Sequence, residues 1–288
     1  MHQSRKKSFI YMTLSALSFA LMALMVKYAS DVPQIQKVFV RNLISVFIAL
    51  YYVRNAKVSL FGKKESRWLL FIRASTGLIG VILYFYSVEY MNLADSSMLN
   101  RLSPFFVLIV AAFMLGEKIK KIHIPALIVV FIASLLIIKP KFDISILPAL
   151  AGLASAAISG LTYTTVRKLT YKEHPATIVF YFSFFSVMVM APMLVFTNYI
   201  PNLNEIIYLV LIGIFAAGGQ FGMTYAYKYG PAGEASLYSY LNVVFAAFLG
   251  YLFWNETPDI YSIIGTVLII STSFFLYLNE HIIIKTKK

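Results

Sequence analysis

The chain has 288 residues, of which 60% are hydrophobic and 13% charged, against roughly 45 to 50% apolar and about 25% charged in an average soluble protein. A water-soluble globule is excluded. At about 20 apolar residues per bilayer crossing, ten crossings use roughly 200 of the 288 residues and leave about 88 for loops and tails, too few for an attached nucleotide-binding, receptor or catalytic domain.

A basic start, Arg5 to Lys7, precedes about 20 apolar residues, longer than a signal-peptide core, so this stretch is expected to stay as a first span, Phe9 to Ala29. Further apolar runs follow at Ile35 to Val53, Trp68 to Tyr90, Ser96 to Leu115 and Ile122 to Ile138. A second set of five runs covers Ile146 to Val166, Ala176 to Phe196, Ile206 to Tyr229, Ala235 to Trp254 and Tyr261 to Leu278. The expected fold class is therefore all-α and polytopic, with ten transmembrane helices. Pro125, Pro148, Pro175 and Pro258 lie at or just before helix starts, where a missing N–H costs little. Pro104 and Pro192 lie inside spans and predict kinks.

The net charge of +13 is carried mostly between the apolar runs, which fits a topology signal better than nucleic-acid binding. With the N-terminus in the cytoplasm, 18 Lys and Arg residues fall in cytoplasmic loops and tails, and only Lys139 and Lys141 in the outer loops. Both termini are then expected to be cytoplasmic in a multi-pass protein of the cytoplasmic (inner) membrane. There is no cysteine, so thiolate chemistry and disulfides are excluded.

The two sets of five spans also match each other. At an offset of 139 residues Tyr86 falls on Tyr225, Tyr90 on Tyr229, Ser97 on Ser236, Phe106 on Phe245, Glu117 on Glu256 and Gly80 on Gly219. At 140, Ser15 falls on Ser155, Ala16 on Ala156 and Lys27 on Arg167. Because five is odd, a second copy inserts upside down relative to the first. The domain expectation is a first repeat over 1–141 and a second, inverted repeat over 142–288, forming one membrane domain. Inverted repeats are a recurrent design of alternating-access transporters.

The ten spans in two halves, with Ala111-Ala112-Phe113-Met114-Leu115-Gly116-Glu117, its echo ending Gly250-Tyr251-Leu252-Phe253-Trp254-Asn255-Glu256, and Tyr225-Ala226-Tyr227-Lys228-Tyr229-Gly230-Pro231-Ala232, resemble the EamA branch of the drug/metabolite transporter superfamily. The resemblance covers nearly the whole chain and is more specific for fold than for substrate. It implies a central cavity lined mainly by the third, fourth, eighth and ninth spans. The first, second, sixth and seventh act as moving gates, and the fifth and tenth are peripheral.

Intramembrane polar residues are costly and are functional candidates by default. Arg101 lies beside Asn100 and three residues before Pro104; it either pairs with Glu89 or Asp95 or meets an anionic group of a substrate. Lys27 and Arg41 either snorkel or form gates, whereas Arg73 reads as an anchor near the cytoplasmic end. Ser236, Tyr238, Ser239, Tyr240 and Asn242 in the ninth span, with Gln220, Thr224 and Tyr225 in the eighth and Tyr86 in the third, form either a substrate surface or an interhelical hydrogen-bond seam. Gly77, Gly80, Gly213, Gly218, Gly219 and Gly222 permit close helix approach, for static packing or for gating.

Missing groups narrow the reading. No Asp or Glu falls in the middle third of a span, which disfavours proton coupling through a mid-membrane carboxylate. His2, His123, His174 and His281 have no ligand spacing, so no metal is expected. No phosphate loop occurs, and no cofactor, catalytic residue, ATPase subunit or nucleic-acid partner is implied. The expectation is a secondary transporter, monomer or homodimer, for a small polar or amphipathic metabolite. Amino acids or related compounds come first and choline-like or other organic cations second. An intramembrane enzyme or a non-transporting receptor is the rival class.

Overall fold

The computed structural model describes residues 2–100, 102–115, 123–138, 146–229, 238–239 and 241–286, and among them every regular element is helical. In chain order the α-helices are α1 (His2–Tyr28), α2 (Gln34–Ala56), α3 (Arg67–Tyr90), α4 (Leu93–Asn100), α5 (Ser103–Leu115), α6 (His123–Ile138), α7 (Leu147–Thr170), α8 (Pro175–Met190), α9 (Leu203–Tyr229), α10 (Leu241–Trp254) and α11 (Ile260–Thr286). Among the described residues, six segments are long and apolar enough to cross a membrane: Lys6–Tyr28, Gln34–Ala56, Lys64–Tyr90, Leu147–Thr170, Pro175–Phe196 and Leu203–Tyr229. The protein is thus an all-α, multi-span membrane protein.

Both internal prolines leave a mark. The expected fourth span is divided into α4 and α5, with Pro104 in the first turn of α5, because the proline ring blocks the carbonyl four residues back. The expected seventh span ends as an α-helix at Met190 and continues as a 3₁₀ helix, Ala191–Phe196, with Pro192 in its first turn. Helix ends are set by local chemistry. Asn202 and Glu205 form a reciprocal cap at the start of α9: the Glu205 amide donates to Asn202 Oδ1 (3.0 Å) and the Asn202 amide to Glu205 Oε2 (2.7 Å). At the end of α10, Asn255 takes a left-handed backbone (φ 55°). The Asn255 amide then reaches back to the Tyr251 carbonyl at 3.0 Å, the single bond of an αL cap.

The helices pack in a regular scheme. The most extensive contacts join α1 to α9 and α3 to α7, with α2 against α8. α10 lies on α1 as α5 lies on α7, while α6 and α11 pack chiefly on each other at the periphery. The α1–α9 seam is closed by Ser15, whose hydroxyl donates to the Gly219 carbonyl at 2.7 Å, and the α7–α3 seam by Ser155, which donates to the Gly80 carbonyl at 2.8 Å. Close approach needs missing side chains. A Cβ at Gly222 would lie 2.8 Å from the Tyr11 carbonyl oxygen, and one at Gly160 would lie 2.9 Å from the Phe106 carbonyl carbon. The outer surface exposes Phe47, Phe113, Phe131, Val244 and Phe274, a belt that suits lipid and would aggregate in water.

Two predictions follow from these contacts. Gly160→Ala forces backbone apart and lowers detergent-state stability by about 1 to 3 kcal/mol, whereas Gly80→Ala, whose new Cβ meets only atoms at 3.6 Å or beyond, leaves the thermal midpoint near that of the parent. At the head of α8, His174 Nδ1 accepts from the Ala176 amide at 3.2 Å. Burial, then Lys228, hold the His174 pKa below its ordinary 6.5. Its cap is therefore complete above pH 6.5 and weakens as pH falls from there towards the lowered folded value. A melting series from pH 8 to 5 should show a loss of midpoint that His174→Asn, which caps without titrating, reduces.

Candidate functional site: a cationic cavity at the centre of the bundle

Between the helices lies a cavity of about 60 Å³. That holds a few waters and lies below the roughly 300 Å³ of a small ligand pocket. One wall is α3, through Arg73, Gly77, Gly80, Val81, Tyr84 and Phe85. The facing wall is α7, which contributes Ser155, Ser159, Thr162 and Tyr163. Phe19 and Met22 of α1, Arg41 of α2, Asn100 of α4, Phe182 of α8 and Gln220 of α9 complete it.

The hydroxyl wall is tied by short bonds. Thr162 Oγ1 donates to Thr76 Oγ1 at 2.8 Å, and Asn100 Nδ2 donates to Ser155 Oγ at 3.1 Å. Opposite stand two guanidinium groups. Arg41 is 1% exposed and Arg73 2%, and both lie over the Phe182 ring, at 5.6 and 4.0 Å from its centre. Arg73 Nη2 donates to Gln220 Oε1 at 2.8 Å, and Arg41 Nη1 to Asn42 Oδ1 at 3.0 Å. Arg41 Nε and Arg73 Nε and Nη1 have no hydrogen-bond partner among the described residues. No acidic residue is among the described lining residues. A cluster of groups able to hold a metal is likewise absent among the described residues. The cavity is therefore lined by two guanidinium side chains, hydroxyls and aromatic faces, chemistry that suits an anionic group.

Arg73 departs most from its expected role. Instead of anchoring at the membrane surface it runs along α3 over Gly77, where a Cβ would lie 2.4 Å from Nη1. Arg41 does not snorkel; it is buried against Phe85 and Phe182. Their signal in the sequence was Arg73 four residues before Gly77, one helical turn apart on the same face.

The other sequence candidates are distributed as follows. Asn100, Gln220, Gly77, Gly80 and Arg41 come together at the cavity. Gly219 lies beside it, with the Phe19 ring where its Cβ would be. Tyr86 packs on Tyr90, ring centres 4.9 Å apart. Tyr225 stacks with Tyr11 and Tyr229 at 5.4 and 6.2 Å, while Tyr238 meets Phe9 edge-on at 4.8 Å. Asn242 Nδ2 donates to the Ala16 carbonyl at 2.8 Å, and the Ser239 carbonyl accepts from the Asn242 amide at 3.0 Å. Arg101 and Tyr240, like Ser236 and Glu117, lie outside the described residues.

At the end of the bundle where α1 finishes, Lys27 pairs with Glu256 and donates to the Met91 carbonyl at 3.2 Å. The second oxygen of Glu256 accepts from the Leu93 amide at 2.9 Å. Close by in sequence, Lys37 pairs with Glu89 at 2.6 Å. Lys27 thus links α1, the α3–α4 junction and the end of α10.

A family model of the EamA-like transporter family matches residues 6–139 and again 146–278. The chain belongs to this family. The pseudopaline exporter of Pseudomonas aeruginosa is 32% identical, over 92% of this chain and 94% of that one. An uncharacterised transporter of Helicobacter pylori is 25% identical over 92% of each chain. A solved crystal structure aligns with a TM-score of 0.68 at 18% identity, over 92% of this chain and 94% of the other, a likeness of fold. As an EamA-like protein the chain is a secondary transporter of the inner membrane that carries a small molecule across the bilayer, and it is not an enzyme. Of the third, fourth, eighth and ninth spans that the resemblance implied for the cavity wall, the first three contribute here through α3, α4 and α9; the described lining has no residue of the ninth, and α7, the sixth span and an expected gate, is a further major wall.

Removing the Glu256 charge should loosen the closed end. In a Glu256→Gln background, a cysteine at Asn100 should react with a thiol reagent in detergent about tenfold faster than in the parent, as expected for loss of ~1.4 kcal/mol of closure. An unchanged labelling rate would remove the Lys27 cluster from gating.

Proposed function

We propose that this EamA-like transporter moves a carboxylate-bearing metabolite, an amino acid or a related compound, and binds it in the cavity between α3 and α7. The observation that carries the reading is the pair of buried arginines, Arg41 and Arg73, with unpartnered donors and no acid among the described lining residues. A carboxylate accepts from a guanidinium in the plane of its fork. The Thr162 and Ser159 hydroxyls and the Tyr84 and Phe182 rings line the same cavity and suit an ammonium group and a side chain. A choline-like cation would meet two positive charges and is disfavoured.

The proposed architecture is ten crossings in two inverted halves, 1–141 and 142–288, with both termini cytoplasmic. Two hydrogen bonds support it. Ser15 to the Gly219 carbonyl and Ser155 to the Gly80 carbonyl join residues that the offsets of 140 and 139 exchange. The exchange also converts the α1–α9 seam into the α7–α3 seam. The double match of the family model, over 6–139 and 146–278, is in keeping with this. Alternating access then arises when the halves swap conformations. A relative named as an exporter favours outward movement.

The test is flux in proteoliposomes of the full chain. Labelled amino acids should accumulate against unlabelled counter-substrate, quaternary amines should not, and Arg73→Gln should raise the half-saturating concentration about tenfold or more. Transport of quaternary amines with amino acids inert would sink the carboxylate reading.

A further inference from the structure

We propose that the substrate carries two anionic groups, one for each buried guanidinium. This rests on the carboxylate reading and goes further, because a single carboxylate would leave the cavity with one uncompensated positive charge. Arginine keeps its proton in proteins, so the charge cannot be shed. In a membrane-embedded bundle an unpaired charge is costly, and the described lining residues contain no acid to absorb it.

The geometry separates two subsites. Glu89 at the end of α3 pairs with Lys37 near the start of α2, so α2 and α3 run in opposite directions. Arg41 and Arg73, each in the first third of its helix, therefore start from opposite levels of the bundle and converge on the Phe182 ring. Each has a fixed local support. Gln220 and the ring hold Arg73, while Asn42 and the Phe85 ring hold Arg41. Each also has donors with no hydrogen-bond partner among the described residues, Nε on Arg41 and Nε and Nη1 on Arg73, buried in this conformation and reached as the helices shift. Gly77 provides the space that Arg73 Nη1 occupies. Two separately supported cations over one ring, that of Phe182, are two receptors for anionic groups.

Matched probes test this without relying on a variant. Binding to the purified full-length protein, read by thermal shift and by competition with a transported substrate, is measured for glutamate against glutamine, and for the diacids from malonate to adipate against their monoamides. At least one diacid should bind about tenfold or more tighter than its monoamide, the effect of one charged hydrogen-bonded contact. Arg41→Gln and Arg73→Gln should each abolish that preference while monoamide binding persists. Equal binding of every diacid and its monoamide overturns the proposal and leaves the carboxylate reading standing; absence of binding by any carboxylate removes both. The series is repeated with the chloride salt replaced by sucrose in a zwitterionic buffer. Monoamides that match diacids only in chloride would assign the second guanidinium to a free inorganic anion, and this too overturns the proposal.

Discussion

Two positive charges held inside a membrane protein with no negative charge beside them in the described cavity set the terms for the rest of the structure. Burial of an arginine is tolerated when its donors are used and its charge is balanced. Here Arg41 and Arg73 are balanced only in part, by the faces of Phe182 and Phe85 and by the amides of Gln220 and Asn42. Cation–π contacts of this kind contribute about 0.5 to 2 kcal/mol each, and each buried unused donor costs about 1 to 3 kcal/mol. An anion in the cavity, as proposed, would supply the negative charge that these rings and amides offset only in part. By contrast the other buried cation, Lys37, has its carboxylate in Glu89, and Lys27 has Glu256. These pairs are satisfied within the protein and have no need of a ligand.

The seams around the cavity are built to be close and yet not welded. Ser15 on Gly219 and Ser155 on Gly80 are single hydroxyl-to-carbonyl bonds across helices whose own backbone ladders stay intact. In an environment without water such a bond contributes little net stability, commonly about 0.6 kcal/mol. It still fixes register, because each hydroxyl is paired with one particular carbonyl of the facing helix. A seam of this type can break and reform as one helix shifts on the other, which larger interdigitated side chains would resist.

Much of the fold was legible in the sequence because lipid imposes a simple rule, satisfaction of every backbone group within a helix. The apolar runs placed α1, α2, α3, α7 and α9 within a few residues. Pro104 signalled the break between α4 and α5, although periodicity alone gave one continuous span. The site was less legible. A run of hydropathy locates a Cα along the bilayer normal, but an arginine side chain is long enough to carry its charge more than a helical turn away from that level. Arg73 therefore reads from its position as a surface anchor, whereas in the structure the missing Cβ of Gly77 leaves room for its guanidinium along α3. The tyrosines misled in the opposite sense. Tyr225, Tyr229 and Tyr11 stack with one another, an arrangement that needs three-dimensional packing and has no linear signature.

The hydrogen bond from Arg73 to Gln220 connects the two ideas of charge and movement. It runs from α3 to α9, between the segments matched separately at 6–139 and 146–278, and it occupies one of the donors that an incoming carboxylate would use. A carboxylate is the stronger acceptor, since charge-assisted bonds are about twice as strong as neutral ones. On the proposed reading, an anion on Arg73 competes with Gln220 and weakens a link between the two matched segments as the cavity charge is neutralised. Where α1 finishes, the Lys27–Glu256 pair and its bonds to Met91 and Leu93 tie the helices together. Near the start of α1, Ser8 donates to the Ala226 carbonyl and the rings of Tyr11, Tyr225 and Tyr229 stack. One end is tied by ions and the other by rings and a hydroxyl, so parting the helices need not cost the same at both. Under the proposed carboxylate reading, neutralisation at the centre, acting through the Gln220 link, would let an occupied cavity change face more readily than an empty one.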